Sequence, residues 1–102
     1  MSYVWEKLYT AVHGLVTSEK SLQERLIDAY IYSVMRLNED DFPENLKEEY
    51  RQFHDDITKV ASVGDEGTVR ATVNAMGNSE ASRMIEKILS MYDRITRREE
   101  ER

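Results

Sequence analysis

The sequence contains no cysteine, which excludes a disulfide framework, a thiolate zinc site and a cysteine nucleophile. It also lacks long apolar runs: Leu8–Ser18 carries no charge, but it includes His13 and Gly14 and is far too short to cross a membrane. The charged pair Glu6 and Lys7 interrupts the apolar region that a signal peptide needs. We therefore expect a cytoplasmic protein that does not enter a membrane.

The composition is typical of a small globular domain. Of the 102 residues, 40% are hydrophobic and 33% are charged, which is too apolar for a disordered tail and too polar for a membrane protein. A chain of this length supports one core. The last residues carry charge and no apolar anchor, so we predict a single helical domain over 1–96 and a frayed charged tail over 97–102.

Apolar residues recur with a helical period along the chain, and no segment alternates as a strand does. This pattern predicts an all-α fold, a compact helical bundle of four long helices and one short helix. Ser2 is placed to cap the first helix. Ser21 and Glu24 form a capping-box pattern at the start of the second, whose broad apolar arc predicts a central position. The predicted helices span about 3–16, 22–37, 43–60, 68–76 and 80–97.

The acidic residues are concentrated in one segment. Eight acids and two bases lie within 39–56, a balance of −6 that equals the net charge of the whole chain. On the third predicted helix these acids point away from the apolar seam or flank it. We define the acidic face as the five residues Glu44, Glu48, Glu49, Asp55 and Asp56.

Three interpretations of the acidic face stay open. A charged outer face keeps a small protein soluble without any further role. A concentrated negative field also speeds association with a basic protein, and this attraction weakens as salt rises. The third interpretation is an inhibitor that imitates nucleic-acid phosphates and occupies a nucleic-acid-binding protein. In none of the three does the face bind DNA or RNA directly.

A second candidate surface is the polar strip of the second helix. Arg25, Tyr32 and Arg36 share this strip, and Asp28 is spaced to contact Arg25. Two arginines beside a tyrosine suit a carboxylate or phosphate group, or a protein hot spot. The alternative is ordinary side-chain pairing along an exposed helix.

The sequence contains no recognisable catalytic or metal-binding motif. The two histidines, His13 and His54, lie on different helices, and neither stands in a Glu-x-x-His or His-x-x-x-His spacing. Neither a phosphate-binding glycine loop nor a nucleophile elbow is present. We therefore predict no catalytic residue, no metal and no cofactor. A metal-dependent helical enzyme that uses these two histidines is kept as the alternative.

The basic cluster near the C-terminus, Arg94, Arg97 and Arg98, complements the helix dipole, so we do not expect it to bind nucleic acid.

The aromatic residues are one Trp, six Tyr and two Phe, and this number in a short chain predicts self-association, with a homodimer as the simplest form. The sequence thus favours a small, non-enzymatic interaction or regulatory protein that docks on a basic protein partner through its acidic face.

Overall fold

The computed structural model describes residues 1–62 and 64–100, with the backbone alone at 65 and 66. This part of the chain contains five α-helices and no strand, which confirms the all-α prediction. Two one-turn 3-10 helices, Val34–Arg36 and Glu39–Asp41, connect the second α-helix to the third. In chain order, α1 spans Tyr3–Thr17, α2 Leu22–Tyr32, α3 Glu44–Ile57, α4 Asp65–Asn74 and α5 Asn78–Glu100.

The first two helices begin where their capping residues predict. Ser2 Oγ accepts a hydrogen bond from Trp5 N–H at 3.2 Å, and Ser21 Oγ accepts one from Glu24 N–H at 3.1 Å. Each hydroxyl satisfies an amide that has no partner inside its own helix. Local sequence is therefore sufficient to set both starts.

The second helix ends at Tyr32, earlier than predicted. At Ser33 the backbone leaves helical geometry (φ −135°, ψ −66°) and continues as a 3-10 turn. The turn buries Val34 and Leu37, and Tyr50 Oη of α3 donates a hydrogen bond to Leu37 O at 2.6 Å. The Leu37 carbonyl has no hydrogen-bond partner within a helix, and the long-range bond from Tyr50 satisfies it. The chain therefore forms a turn here, although the apolar period alone predicts that the helix continues.

The last two helices begin earlier in the chain than predicted. Gly64 is the N-cap of α4 at φ +76°, a left-handed conformation that glycine adopts at little cost, and Thr68 N–H bonds to Gly64 O at 3.0 Å. The fifth helix begins at Asn78 and continues to Glu100, past the predicted end at Arg97. Residues 101 and 102 of the predicted tail lie outside the described residues.

The second helix lies at the centre of the bundle, as its broad apolar arc predicts. It packs on α1, α4 and α5, while α1 also packs on α5, and α3 packs on α4 and α5. One hydrophobic cluster joins all five helices. This packing leaves the outer side of α3 and a groove between α1 and α2 at the surface. The largest fully buried side chains include Tyr30, Phe53, Leu8, Leu26, Leu46 and Ile57.

Candidate functional site

The third helix carries the acidic face opposite its buried side. The buried seam consists of Leu46, Tyr50, Phe53 and Ile57. Their steps of three and four residues place them on one side of an α-helix. On the other side, the side chains of Glu44 and Glu48 are 91% and 78% exposed, and Asp55 is also exposed. The structure therefore directs these three acids to solvent.

The other two acids of the acidic face connect α3 to α5. Glu49 Oε1 accepts a hydrogen bond from Arg94 Nη1 at 2.5 Å, and Asp56 Oδ2 accepts one from Lys87 Nζ at 3.3 Å. Both acids are half-buried beside the helix that supplies their cations. A partner therefore meets Glu49 and Asp56 half-buried and paired with α5, whereas the outward three acids are more exposed.

Two cations of α3 itself lie among the acids. Lys47 Nζ is 3.3 Å from Glu44 Oε2. Arg51 Nε donates a hydrogen bond to Glu39 Oε2 at 2.9 Å, and Arg51 also contacts Glu48. The hydrogen bond to Glu44 raises the pKa of Lys47, and the hydrogen bond to Glu39 raises the pKa of Arg51. Both cations therefore stay charged in neutral solution and offset part of the local acidity.

The acid-rich segment nevertheless keeps an excess of negative charge. Its eight acids are paired with or lie beside four cations, which leaves 8 − 4, or −4. Asp55 makes no ion pair among the residues that the structure describes. Exposed ion pairs are weak because water competes for both charges, so a basic partner can replace the intramolecular cations at small cost. The four cations are Lys47, Arg51, Lys87 and Arg94.

The contact predicted between Arg25 and Asp28 on α2 is not formed. Arg25 turns toward α1 instead, where its Nη1 donates a hydrogen bond to Leu15 O at 3.1 Å. Asp28 pairs with Lys20 at 2.7 Å, and this hydrogen bond raises the pKa of Lys20. The carbonyls in the last turn of a helix have no partner within the helix, which explains why one of them attracts the guanidinium group.

The other two residues of the predicted strip, Tyr32 and Arg36, do not both line the same pocket as Arg25. Because α2 ends at Tyr32, Arg36 lies in the 3-10 turn, where its Nε donates a hydrogen bond to Tyr32 O at 3.3 Å. The Tyr32 side chain is largely exposed and shares a pocket with Arg25. Arg36 does not line that pocket, so the structure brings two of the three predicted residues together and leaves the third apart.

The pocket lies between α1 and α2 and has a volume of about 300 Å³. Small residues form much of its lining: Ala11 and Gly14 from α1, Ala29 from α2 and Ser33 directly after α2. Sequence analysis missed this pocket. The available signal was the spacing of Ala11 and Gly14, which are three residues apart and therefore on one face of α1.

The two histidines have different neighbours and do not form a shared site. His54 Nδ1 lies 2.5 Å from the hydroxyl of buried Tyr30, and the two groups share a hydrogen bond. His13 packs at 6.0 Å, ring centre to ring centre, against Tyr9 on α1. Among the side chains that the structure describes, no three His, Asp or Glu residues lie close enough to hold a metal ion. Each histidine thus contacts a different tyrosine.

A half-exposed aromatic patch lies where α1 meets α5. The rings of Trp5 and Tyr9 stack with centres 5.2 Å apart, and Tyr92 of α5 lies 5.9 Å from Trp5. Trp5 Nε1 donates a hydrogen bond to Thr96 Oγ1 at 2.8 Å, which ties the two helices together. We define the aromatic patch as Trp5, Tyr9 and Tyr92 together with Leu89, which lies three residues before Tyr92 and so on the same side of α5.

Comparison with known proteins gives no functional information about this site. No protein-family model matches the chain, and no significant match was found among curated proteins or among solved structures. None of the helices in the described ranges is both long and apolar enough to span a membrane. The functional proposals below therefore rest on the residues of this chain and their geometry.

Proposed function

We propose that this chain is a small, non-enzymatic docking protein of the cytoplasm that binds a basic protein partner through its acidic face. The observation that carries the proposal is the outward direction of Glu44, Glu48 and Asp55 on one helix, within a segment whose charge of −6 becomes −4 when Lys87 and Arg94 of α5 are included. A seam of buried apolar residues fixes this helix to the bundle, so the acids are presented on a rigid support.

The partner is expected to carry lysine or arginine on the docking surface. These cations would take over the exposed carboxylates that Lys47 and Arg51 contact in the free protein. Since both the existing and the new pairs are near water, affinity depends on the number of charges brought together and falls as salt rises. Electrostatic attraction of this kind acts mainly by speeding association and by rejecting acidic partners.

The experiment compares two variants that have the same net charge. The face variant carries Glu44→Lys, Glu48→Lys and Asp55→Lys, and the control variant carries Glu6→Lys, Glu86→Lys and Glu100→Lys. Each set changes the charge from −6 to 0 at exposed positions, and each includes one acid from the first turn of a helix. Far-ultraviolet circular dichroism establishes that both variants are folded.

The measurement is affinity capture from a lysate of the cells that make the protein, followed by mass spectrometry at low and at raised salt. We expect a basic protein that the wild type and the control variant retain at low salt, and that the face variant loses. Equal capture by the face variant, or capture of no basic protein by the wild type, would rule out docking through this face. Competition by added DNA identifies a partner that also binds nucleic acid.

We further propose that a second copy of the chain covers the aromatic patch. Tyr9 is 45% and Leu89 is 42% exposed, so both leave apolar surface that a second copy would cover. Light scattering at high protein concentration should give the mass of two chains, and Leu89→Lys should return it to one. The mass of one chain for the wild type would exclude this homodimer.

A further inference from the structure

The pocket between α1 and α2 differs from the acidic face in the sign of its charge. Lys20, Arg25 and Asp28 are the charged residues in its lining, so the pocket carries +1 in a chain whose net charge is −6. Lys20 and Asp28 are ion-paired at 2.7 Å on the exposed side. A net positive pocket attracts a monovalent anion, which the acidic face repels.

Arg25 is the residue in the pocket with unused hydrogen-bonding capacity. Its Nη1 donates to Leu15 O, whereas its Nε is shielded from solvent and makes no hydrogen bond. A buried donor without a partner is costly, more so on a charged group. The Nε–H group belongs to the edge of the guanidinium through which arginine binds a carboxylate by two parallel hydrogen bonds, and the side chain has to turn to present this shielded edge to the pocket.

The remainder of the lining suits an apolar body of limited size. Ala11, Gly14 and Ala29 offer no polar side-chain atom, and a β-carbon added to Gly14 would meet nothing within 4 Å. The volume of about 300 Å³ corresponds to roughly ten non-hydrogen atoms, if each takes about the 30 Å³ of a liquid water molecule. This volume is at the lower end of the range found for ligand pockets.

We propose that this pocket binds a small organic carboxylate, with the carboxylate on Arg25 and the apolar body against Ala11, Gly14 and Ala29. A singly charged group matches the +1 of the lining, and a doubly charged phosphate would also face the carboxylate of Asp28. The pocket does not include any residue of the acidic face, so this proposal and the docking proposal succeed or fail separately.

Nuclear magnetic resonance titration of the full chain with benzoate at neutral pH tests the proposal. We expect saturable shifts of the amides in the pocket lining, with a dissociation constant of roughly a millimolar or lower for a probe of this size. Benzamide has the same shape without the charge, and phenyl phosphate is mostly a dianion at this pH. Both should bind more weakly than benzoate.

Matched variants locate the binding. Arg25→Gln should weaken benzoate binding by about tenfold or more, because a charged hydrogen-bond donor is lost. Arg36→Gln alters an arginine that follows α2 but does not line the pocket, and it should leave the affinity unchanged. Gly14→Leu fills the pocket and should abolish binding, with circular dichroism showing that the helix is retained.

Several results would overturn the carboxylate site. These are shifts that do not saturate or that lie outside the pocket, benzamide or phenyl phosphate binding as tightly as benzoate, and equal losses in Arg25→Gln and Arg36→Gln. Unchanged binding to a folded Gly14→Leu protein would likewise place the ligand elsewhere.

Discussion

The outer side of α3 and the pocket between α1 and α2 use charge in opposite ways. The segment 39–56 holds eight acids, and the outward ones are exposed and balanced in part by nearby cations. The pocket holds three charged residues, but one of them has a donor that is shielded from water and unpaired. The outer side of α3 thus has many charges that are exposed to water, whereas the pocket has few charges and part of one of them is shielded from water.

This difference indicates what each region can do. Charges in water interact weakly at contact distance and act collectively over about one Debye length, which suits long-range attraction of a basic surface. A shielded donor is costly until an acceptor reaches it, which suits a specific ligand. The number of charges therefore predicts where a partner is attracted, and their burial predicts where a ligand is recognised.

The largest expected effect separates the two sides of α3. Phe53→Ala removes a fully buried ring from the seam and should lower the free energy of unfolding by about 3–5 kcal/mol, whereas Glu48→Ala on the outer side should change it by less than about 0.5 kcal/mol. Urea unfolding followed by circular dichroism measures both. Phe53→Leu, a milder truncation, keeps the comparison measurable where the alanine variant is largely unfolded. Similar losses for the two residues would contradict the division of α3 into a structural and a docking side.

The next effect concerns Tyr50, which connects the seam of α3 to the turn after α2. Tyr50→Phe removes the hydrogen bond to Leu37 O and should cost about 1–2 kcal/mol of unfolding free energy at neutral pH. Burial, followed by the negative charge of Asp41, raises the pKa of Tyr50 from 10.0 to about 12.

The raised pKa gives this contribution a pH dependence of known sign. Between pH 10 and about 12 the unfolded chain releases the Tyr50 proton while the folded chain retains it, so the stabilisation is complete below pH 10 and is lost as pH rises through this window. The advantage of the wild type over Tyr50→Phe should therefore shrink above pH 10. A constant difference in parallel urea titrations up to pH 11 would contradict the burial of this hydroxyl.

A smaller effect of opposite sign is expected in the pocket. Gly14→Ala should raise the unfolding free energy by about 0.5–1 kcal/mol, because alanine is the better helix former and the added methyl group meets nothing within 4 Å. Gly64→Ala is the matched control and should be destabilising, since its φ of +76° strains any residue with a β-carbon. Thermal melts of the two variants should shift in opposite directions. A loss of stability at Gly14 would show that the pocket is closed.

The smallest effect is the coupling between Glu49 and Arg94. Both side chains are about 40% exposed, so a double-mutant cycle with Glu49→Gln and Arg94→Gln should give about 0.5 kcal/mol. This value should decrease further in high salt. A coupling of several kcal/mol would mean that the pair is part of the structural core and not available to a docking partner.

The success of sequence analysis depended on the range of the contacts involved. The starts of α1 and α2 follow from Ser2 and Ser21, whose hydroxyls bond to amides three residues away. The outward acids of α3 follow from the helical period alone. Both features are local, and both are visible in the sequence.

Features that depend on two distant segments escaped prediction. The early end of α2 requires Tyr50 of α3 to lie beside Leu37, a separation of 13 residues. The Arg25 side chain was assigned to Asp28, its neighbour on the helix, but the end of α1 offers it a carbonyl at Leu15. The pocket exists because α1 and α2 place their small residues opposite each other, and no single helix contains that information.

The most direct measurement of the central claim is the equilibrium affinity of one captured basic partner for the wild type, the face variant and the control variant at the same salt concentration. The account predicts a loss of about 100-fold or more for Glu44→Lys, Glu48→Lys and Asp55→Lys, and a change of less than about threefold for the control. Equal losses in both variants would show that net charge alone controls binding, and would contradict a docking surface on α3.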